Sequence, residues 1–243
     1  MTTLPAHREA MRLGATEYER LLDVLRSLEP QDWLRMTDCT LWDVRAMVAH
    51  LLANMDQNAS IREMAHQIGT AKKRARVSGS PMVDELTALQ IAERASLSPD
   101  ALLSRIEGTA PRAVMGRQKV PRVMRRLVRI DAGPFGRMTL GYLVDTVYTR
   151  DVWMHRLDIC RATGRPMVLN AGHDGRLVAA MVGDWAERHG QSYELVLGGP
   201  AGGVFSRGVG GERHELDALE FCRIVSGRDN GGAIGLLQTE VLF

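Results

Sequence analysis

An aspartate and a histidine four residues apart, Asp151 and His155, are the residues whose types and spacing best suit chemistry. Side chains at this spacing lie side by side on a helix, so a carboxylate oxygen and an imidazole nitrogen can reach one cation. At 100° per residue both continue an apolar seam formed by Leu140, Val144 and Val147. An ionised carboxylate is costly to bury without a partner. The pair therefore predicts either a metal site or a buried hydrogen bond between the two side chains.

A catalytic metal site of this kind needs one further protein ligand. His50 is the candidate, but the periodicity leaves its role open, because it lies opposite the main apolar side of its own helix. That apolar side consists of Leu41, Val44, Val48, Leu52 and Met55. The face of His50 carries small residues, including Ala46 and Ala53, which would let a neighbouring helix approach. His50 is therefore either a ligand or a surface histidine.

Asp158 follows His155 by three residues, and its spacing fits two roles. It can orient the His155 imidazole through a hydrogen bond, or it can form a salt bridge with Arg161 or Arg165. The other histidines lie in polar or loop-like settings and are predicted to be solvated: His7, His66, His173, His189 and His214.

Helices must position these side chains. Apolar residues recur at intervals of three and four through the first two-thirds of the chain, which predicts helices over about residues 6–28, 41–57, 81–107 and 139–164. Ser98 interrupts the third and can cap a new turn, while Thr139 caps the fourth and Gly164 ends it. We therefore expect a mainly α protein, with a helical metal-binding domain over residues 1–166.

The remaining residues, 167–243, are glycine-rich and predict a smaller α+β domain. The pattern indicates a helix over residues 177–190, a hairpin from 192–199 and 203–208, a helix capped by Asp217, and a closing strand over 236–243.

Composition excludes several classes of partner. The 243 residues carry a net charge of only +2, so no nucleic-acid partner is predicted. The amino terminus lacks a secretory signal and no stretch approaches the roughly 20 apolar residues of a membrane span, so we expect a cytoplasmic protein without a membrane partner. Three widely spaced cysteines, Cys39, Cys160 and Cys222, are predicted to be reduced thiols.

Two motifs, in order along the chain, carry a family resemblance. The first contains Asp32-Trp33, Thr37, Cys39, Trp42, Val44 and Ala49-His50-Leu51. The second runs from Thr149 to Cys160 and continues through Ala162 to Pro166. Together they resemble the mycothiol-dependent maleylpyruvate isomerase family of the DinB-like superfamily, over most of the first 166 residues. Residues 218–228 also resemble the smaller carboxy-terminal domain of this group, which is sterol-carrier-like.

The resemblance implies an antiparallel four-helix bundle that holds a divalent ion through His50, Asp151 and His155. The isomerase itself has glutamate at the position of Asp151. A carboxylate shorter by one methylene can still coordinate, but the change leaves the metal open. Zinc is the first expectation, and iron or nickel also suit two imidazoles and a carboxylate.

The family mechanism implies mycothiol, a low-molecular-weight thiol, as a second cofactor. The metal stabilises its thiolate, which adds to the cis double bond of maleylpyruvate and leaves after rotation. The anionic substrate then needs a cation, and the predicted catalytic residues are Arg228 or, one turn earlier, Arg223. We therefore expect an isomerase or thiol transferase that acts on a small electrophilic or unsaturated acid, as a monomer or homodimer.

Two other functions compete with this hypothesis. The chain is alternatively a non-catalytic protein that binds a small molecule or lipid. The lowest-ranked alternative is a polyanion-binding patch along a basic stretch, where only Asp131 opposes Arg112, Arg117, Lys119, Arg122, Arg125, Arg126, Arg129 and Arg137. No aromatic platform accompanies this stretch, so a solvated face, or a mouth that attracts an acidic thiol or substrate, is the preferred interpretation.

Overall fold

The fold is that of a computed structural model, which describes residues 4–229, 232 and 234–243. The chain forms two compact units. One comprises His7–Pro166, and the other comprises Met167–Phe243 together with the described residues before His7. The assignment of separate functional domains to 1–166 and 167–243 stays a prediction.

The first unit, called the bundle unit below, is largely helical. A short antiparallel pair, β1 (Arg129–Asp131) and β2 (Arg137–Thr139), is its described sheet. Its helices in chain order are α1 His7–Arg26, α2 Val44–Ala59, α3 Ile61–Ser78, α4 Met82–Ala92, α5 Pro99–Gln118, α6 Arg122–Leu127, α7 Leu140–Tyr142 and α8 Tyr148–Thr163.

Helices α1, α2, α5 and α8 form the four-helix bundle. Both α1 and α2 pack against α5 and against α8, so the apolar sides of all four meet in one core. Each fully buried Leu, Ile or Val there contributes about 1.5–3 kcal/mol. Members of this core include Leu21, Leu25, Val48, Leu52, Ile106 and Val152. The predicted fold class, an antiparallel four-helix bundle followed by a smaller α+β part, is confirmed.

The helix prediction departs from the structure at one missed helix and at one helix end. Helix α3 was not predicted, because it buries only Gln67 and Ala71 and so has no apolar stripe to signal it. The predicted interruption at Ser98 is correct, since its hydroxyl accepts a hydrogen bond from the Ala101 amide. The predicted end near residue 107 is wrong: α5 continues through Pro111 to Gln118, because its later turns stay packed in the bundle.

The helix that carries Asp151 and His155 begins and ends as predicted. Thr139 accepts a hydrogen bond from the Tyr142 amide, and Gly164 ends α8 with a φ of 68°. Between α7 and α8, however, Leu143–Val147 form a π-helical turn, which the 3.6-residue period did not predict. Such a turn inserts one extra residue and rotates everything after it.

The second unit contains helices and a three-stranded sheet. Its helices are α9, Arg176–His189, and α10, Ala218–Val225, which Asp217 caps as predicted. Its strands are β3 Tyr193–Gly198, β4 Gly203–Arg207 and β5 Glu212–Asp217, in the order β4-β3-β5.

The hairpin of β3 and β4 is antiparallel, as predicted, with Leu195 opposite Phe205. Strand β5 pairs parallel to β3 and was missed, because His214 is its only buried residue and it lacks an apolar run. The predicted closing strand over 236–243 is wrong. Gly235–Gln238 form a 3-10 turn, and the residues after it form no strand, although the Val241 amide donates to the Val225 carbonyl.

Two glycines of α5 test how closely the bundle helices approach. A Cβ at Gly116 would overlap the carbonyl oxygen of Asn58 in α2, whereas a Cβ at Gly108 would meet open space. We expect Gly116→Ala to lower the free energy of unfolding by about 2 kcal/mol, because the helices must separate. Gly108→Ala should raise it by about 0.5–1 kcal/mol through better helix propensity. Urea unfolding of both variants measures the difference, and equal effects would contradict the close approach.

Candidate metal centre

The structure brings His50, Asp151 and His155 together inside the bundle unit. His50 lies on α2, and the other two lie one turn apart on α8. Nε2 of His155 is 3.3 Å from Oδ1 of Asp151, and Nε2 of His50 is 3.6 Å from Oδ2 of the same carboxylate. One donor atom from each side chain lies within 4.8 Å of the other two. Two imidazoles, one from α2 and one from α8, thus face one carboxylate.

His50 is buried, with only 9% of its surface exposed. The periodicity of α2 placed it away from the four-helix core, but α4 packs on α2 and its Gln90 contacts the imidazole. Gln90, a buried residue of α4, receives a hydrogen bond of 2.8 Å from Nδ1 of His50. The interpretation of His50 as a surface histidine is therefore wrong, and one of the residues that enclose it lies on a helix outside the four-helix core.

A chain of side-chain amides fixes which nitrogen of His50 carries the proton. Nε2 of Gln67 donates to the carbonyl of Ala53, which can only accept. Oε1 of Gln67 then accepts from Nε2 of Gln90, at 2.8 Å. Oε1 of Gln90 must therefore accept from Nδ1 of His50. In the neutral imidazole, Nε2 consequently keeps its lone pair, directed toward Asp151.

His155 is held in the same way by Asp158. Nδ1 of His155 donates to Oδ2 of the fully buried Asp158 at 3.1 Å, which leaves Nε2 toward Asp151. The two arginines considered as partners of Asp158 pair elsewhere, Arg161 with Asp38 and Arg165 with Asp32. Of the two roles predicted for Asp158, the structure therefore shows the orienting hydrogen bond.

The thiol of Cys39 also approaches Asp158, with Sγ at 3.9 Å from Oδ2. The half-buried indole of Trp42 lies over both imidazoles, with ring centroids 5.3 Å from His50 and 5.8 Å from His155. The loop before α2 thus adds a sulfur and an aromatic wall to the site.

Charges at the site stabilise one another. Burial alone would raise the pKa of the Asp151 carboxyl, but the two imidazoles outweigh burial and hold this pKa well below its usual range. Burial opposes protonation of His155, yet the Asp151 charge and the hydrogen bonds to Asp151, Asp158 and Cys39 raise the pKa of its imidazole. Asp151 is therefore an anion that requires a cation beside it, either a metal ion or a proton on His155.

Other polar side chains surround Asp151. Nδ2 of Asn54 lies 3.3 Å from Oδ2 of Asp151. Gln57 donates to the hydroxyl of Tyr148, and burial raises the pKa of this phenol to about 12. The buried Oε1 of Gln57 has no hydrogen-bond partner among the described residues. Sequence reasoning missed Gln90, and no pattern in the sequence signals it.

The remaining predicted residues lie as follows. Arg223 of α10 is buried and pairs with Glu220 and Asp229. The guanidinium of Arg228 lies 6.0 Å from the ring centre of Phe243. The catalytic role of both arginines stays a prediction.

Further side chains correct or confirm the sequence analysis. His173 and His214 are buried, so the prediction that they are solvated is wrong. The three cysteines are free thiols, as predicted. Among the described residues, no helix combines the length and apolar character needed to cross a membrane.

The fold and the site together place this chain among helical-bundle proteins with a candidate metal centre, in which two imidazoles and a carboxylate meet between two helices. The model of the mycothiol maleylpyruvate isomerase N-terminal domain matches residues 15–160, and the chain belongs to this family. The resemblance inferred from the two motifs is thereby confirmed.

Two solved structures are similar to this chain: the mycothiol-dependent maleylpyruvate isomerase and its histidine-to-alanine mutant. Both are 15% identical to it, with TM-scores of 0.59 for the isomerase and 0.58 for the mutant. Each match covers 94% of this chain and 92% of the other. No curated protein sequence matches the chain.

Proposed function

We propose that this protein is a metal-dependent enzyme of the cytoplasm that uses mycothiol and acts on a small electrophilic or unsaturated acid, as a monomer or homodimer. The observation that carries the proposal is the pair of Nε2 atoms facing the Asp151 carboxylate. Both imidazoles have their Nδ1 atoms engaged by Gln90 and Asp158, so both direct their Nε2 atoms at one place, where each can bind a metal ion when Nε2 carries no proton. This is how metal-binding histidines are usually held.

The donor set fits a divalent cation. Three ligand atoms within 4.8 Å of one another, two nitrogens and one carboxylate oxygen, match a centre that leaves positions open for a thiol or water. Zinc is the first candidate, and iron or nickel suit the same donors. When bound, the metal lowers the pKa of a coordinated thiol and so makes a nucleophile available at neutral pH.

The protein's own residues supply orientation and charge. Asp151 contributes the negative charge that retains a cation, and Gln90 and Asp158 fix the two imidazole rings. Trp42 limits access to one side of both rings. We retain Arg223 and Arg228 as proposed partners of a substrate carboxylate.

Isomerisation and thiol transfer are distinguished by whether the thiol is consumed. Purified protein is incubated with mycothiol and maleylpyruvate, and in parallel with a panel of electrophiles. An isomerase converts the cis acid to the trans acid at constant thiol concentration, whereas a transferase consumes one thiol per product. Either activity should disappear after metal chelation and return with zinc. Lipid copurifying with a metal-free, inactive protein would instead favour the alternative of a non-catalytic binding protein.

Gln90 provides a test of how His50 is held. We expect Gln90→Leu to weaken metal binding about 10–100-fold, because the His50 ring loses the acceptor that fixes its tautomer and orientation. Gln118→Leu, an exposed glutamine at the end of α5, is the control and should leave metal affinity unchanged. Competition with a chromophoric zinc chelator measures both affinities. Equal affinities would contradict a role for Gln90 in holding the metal.

A further inference from the structure

An open cleft of about 540 Å³ lies in the bundle unit beside α6, and none of the three candidate metal ligands lines it. Its lining includes four arginines and a single carboxylate. These are Arg122, Arg125, Arg126, Arg129 and Asp145. The cleft thus gathers half of the basic stretch singled out in the sequence.

The positive charge of the cleft is only partly neutralised. Asp145 is shared, since Oδ2 lies 2.7 Å from Nη1 of Arg125 and Oδ1 lies 2.7 Å from Nδ1 of His7. In the described parts of the chain, no carboxylate lies within salt-bridge distance of Arg122 or Arg126. Crowded guanidinium groups repel one another, and an anion bound between them relieves that repulsion.

Helix α6 and the segment from Thr139 to Gly141 position the arginines of the cleft. Helix α6 buries none of its residues, so its arginines serve no core. Arg122, Arg125 and Arg126 lie on one side of α6, at the spacing i, i+3, i+4. A Cβ at Gly141 would make a tight contact of 3.0 Å with the carbonyl oxygen of Arg125, so glycine favours the close approach of the two segments. Thr139 accepts the Tyr142 amide and keeps its hydroxyl proton for a ligand.

We propose that this cleft binds a soluble small molecule that bears phosphate. The forked guanidinium group matches two oxygens of a phosphate, and a multiply charged anion balances the cleft arginines that have no carboxylate partner among the described residues. The volume is within the range of small-molecule sites and exceeds what one inorganic ion fills. A concave site without an aromatic lining residue favours a small ligand over a single-stranded nucleic acid, which needs rings for base stacking.

Isothermal titration of the full-length protein with inorganic pyrophosphate tests the proposal. At physiological salt we expect saturable binding of one pyrophosphate per chain. The double variant Arg122→Ser/Arg126→Ser should bind at least about 10-fold more weakly, because two charged hydrogen-bond donors are lost. The matched control, Arg74→Ser/Arg76→Ser, removes the same charge from exposed positions of α3 and should stay within about twofold of the unchanged protein. Absence of saturable binding, or equal loss in both double variants, would overturn the proposal.

Three further measurements test where pyrophosphate binds and which kind of molecule supplies the phosphate. His155→Ala should still bind pyrophosphate, which separates this cleft from chelation at the metal centre. A loss of binding in that variant would overturn the assignment to the cleft. Vesicles of phosphatidylglycerol and a duplex DNA are offered as competitors. Weak competition supports a soluble ligand, whereas Arg122- and Arg126-dependent binding to either one, tighter than to pyrophosphate, would overturn it in favour of a membrane or nucleic-acid surface.

Discussion

Replacing His155 with alanine is expected to reduce bound metal from about one ion per chain to less than about 0.1, because one of the three donor groups is removed. The remaining donors, His50 and Asp151, then hold the cation through a single imidazole and a single carboxylate. Loss of a ligand should exceed the roughly 10–100-fold effect of losing an orienting partner. Elemental analysis of freshly purified protein measures the metal directly.

His66→Ala is the matched control for this experiment. His66 lies on the exposed side of α3 and bonds to Glu93, so its removal deletes an imidazole without touching the centre. It should retain full metal occupancy. Circular dichroism of both variants checks that the bundle is folded. Full occupancy in a folded His155→Ala protein would show that the metal binds without this centre, and would leave His155 and Asp151 of the unchanged protein as an ion pair.

Replacing Arg117 with alanine is expected to lower the free energy of unfolding by about 3 kcal/mol, through a lost buried hydrogen-bond donor and a cavity. Arg117 is only 1% exposed. Its Nε and Nη2 donate to the Val144 carbonyl at 3.0 and 2.7 Å, and Nη2 also donates to the Thr149 hydroxyl at 2.7 Å. Val144 lies in the π-helical turn, so this side chain fastens the turn to α5.

The same variant should also bind metal at least about 10-fold more weakly, because the π-helical turn sets the rotation of α8 and hence the direction of its ligands. Arg112→Ala is the control: Arg112 is exposed on the same helix, and its loss should change stability by no more than about 0.5 kcal/mol. Guanidinium unfolding and chelator competition measure the two effects. Unchanged stability and affinity in Arg117→Ala would show that the turn persists without this arginine.

The spacing of residues in the sequence predicted the position of His155 beside Asp151, but it did not predict that His50 would join them. Asp151 and His155 share one helix with marked ends, Thr139 and Gly164, so their side-by-side position followed from local geometry alone. His50 needed a partner on another helix. Its periodicity indicated solvent, and only the family resemblance linked it to the other two.

Helix prediction failed where the buried side chains of a helix are polar. It also failed where tertiary packing extends a helix beyond its predicted end. Helix α3 was missed because its buried side chains are Gln67 and Ala71, although Gln67 holds the Gln90 side chain that contacts His50. The end of α5 was placed too early, because tertiary contacts carry the helix through Pro111 to Gln118.

The sequence by itself determined the mainly helical class, the caps of the fourth bundle helix, the β3–β4 hairpin and the placement of two potential ligands on one face. These features depend on interactions between residues close together in the chain. Only the tertiary structure decided the burial of His50, the amide chain from Ala53 through Gln67 and Gln90, and the turn fastened by Arg117. Each of these joins residues far apart in sequence, and such contacts leave no local periodicity to read.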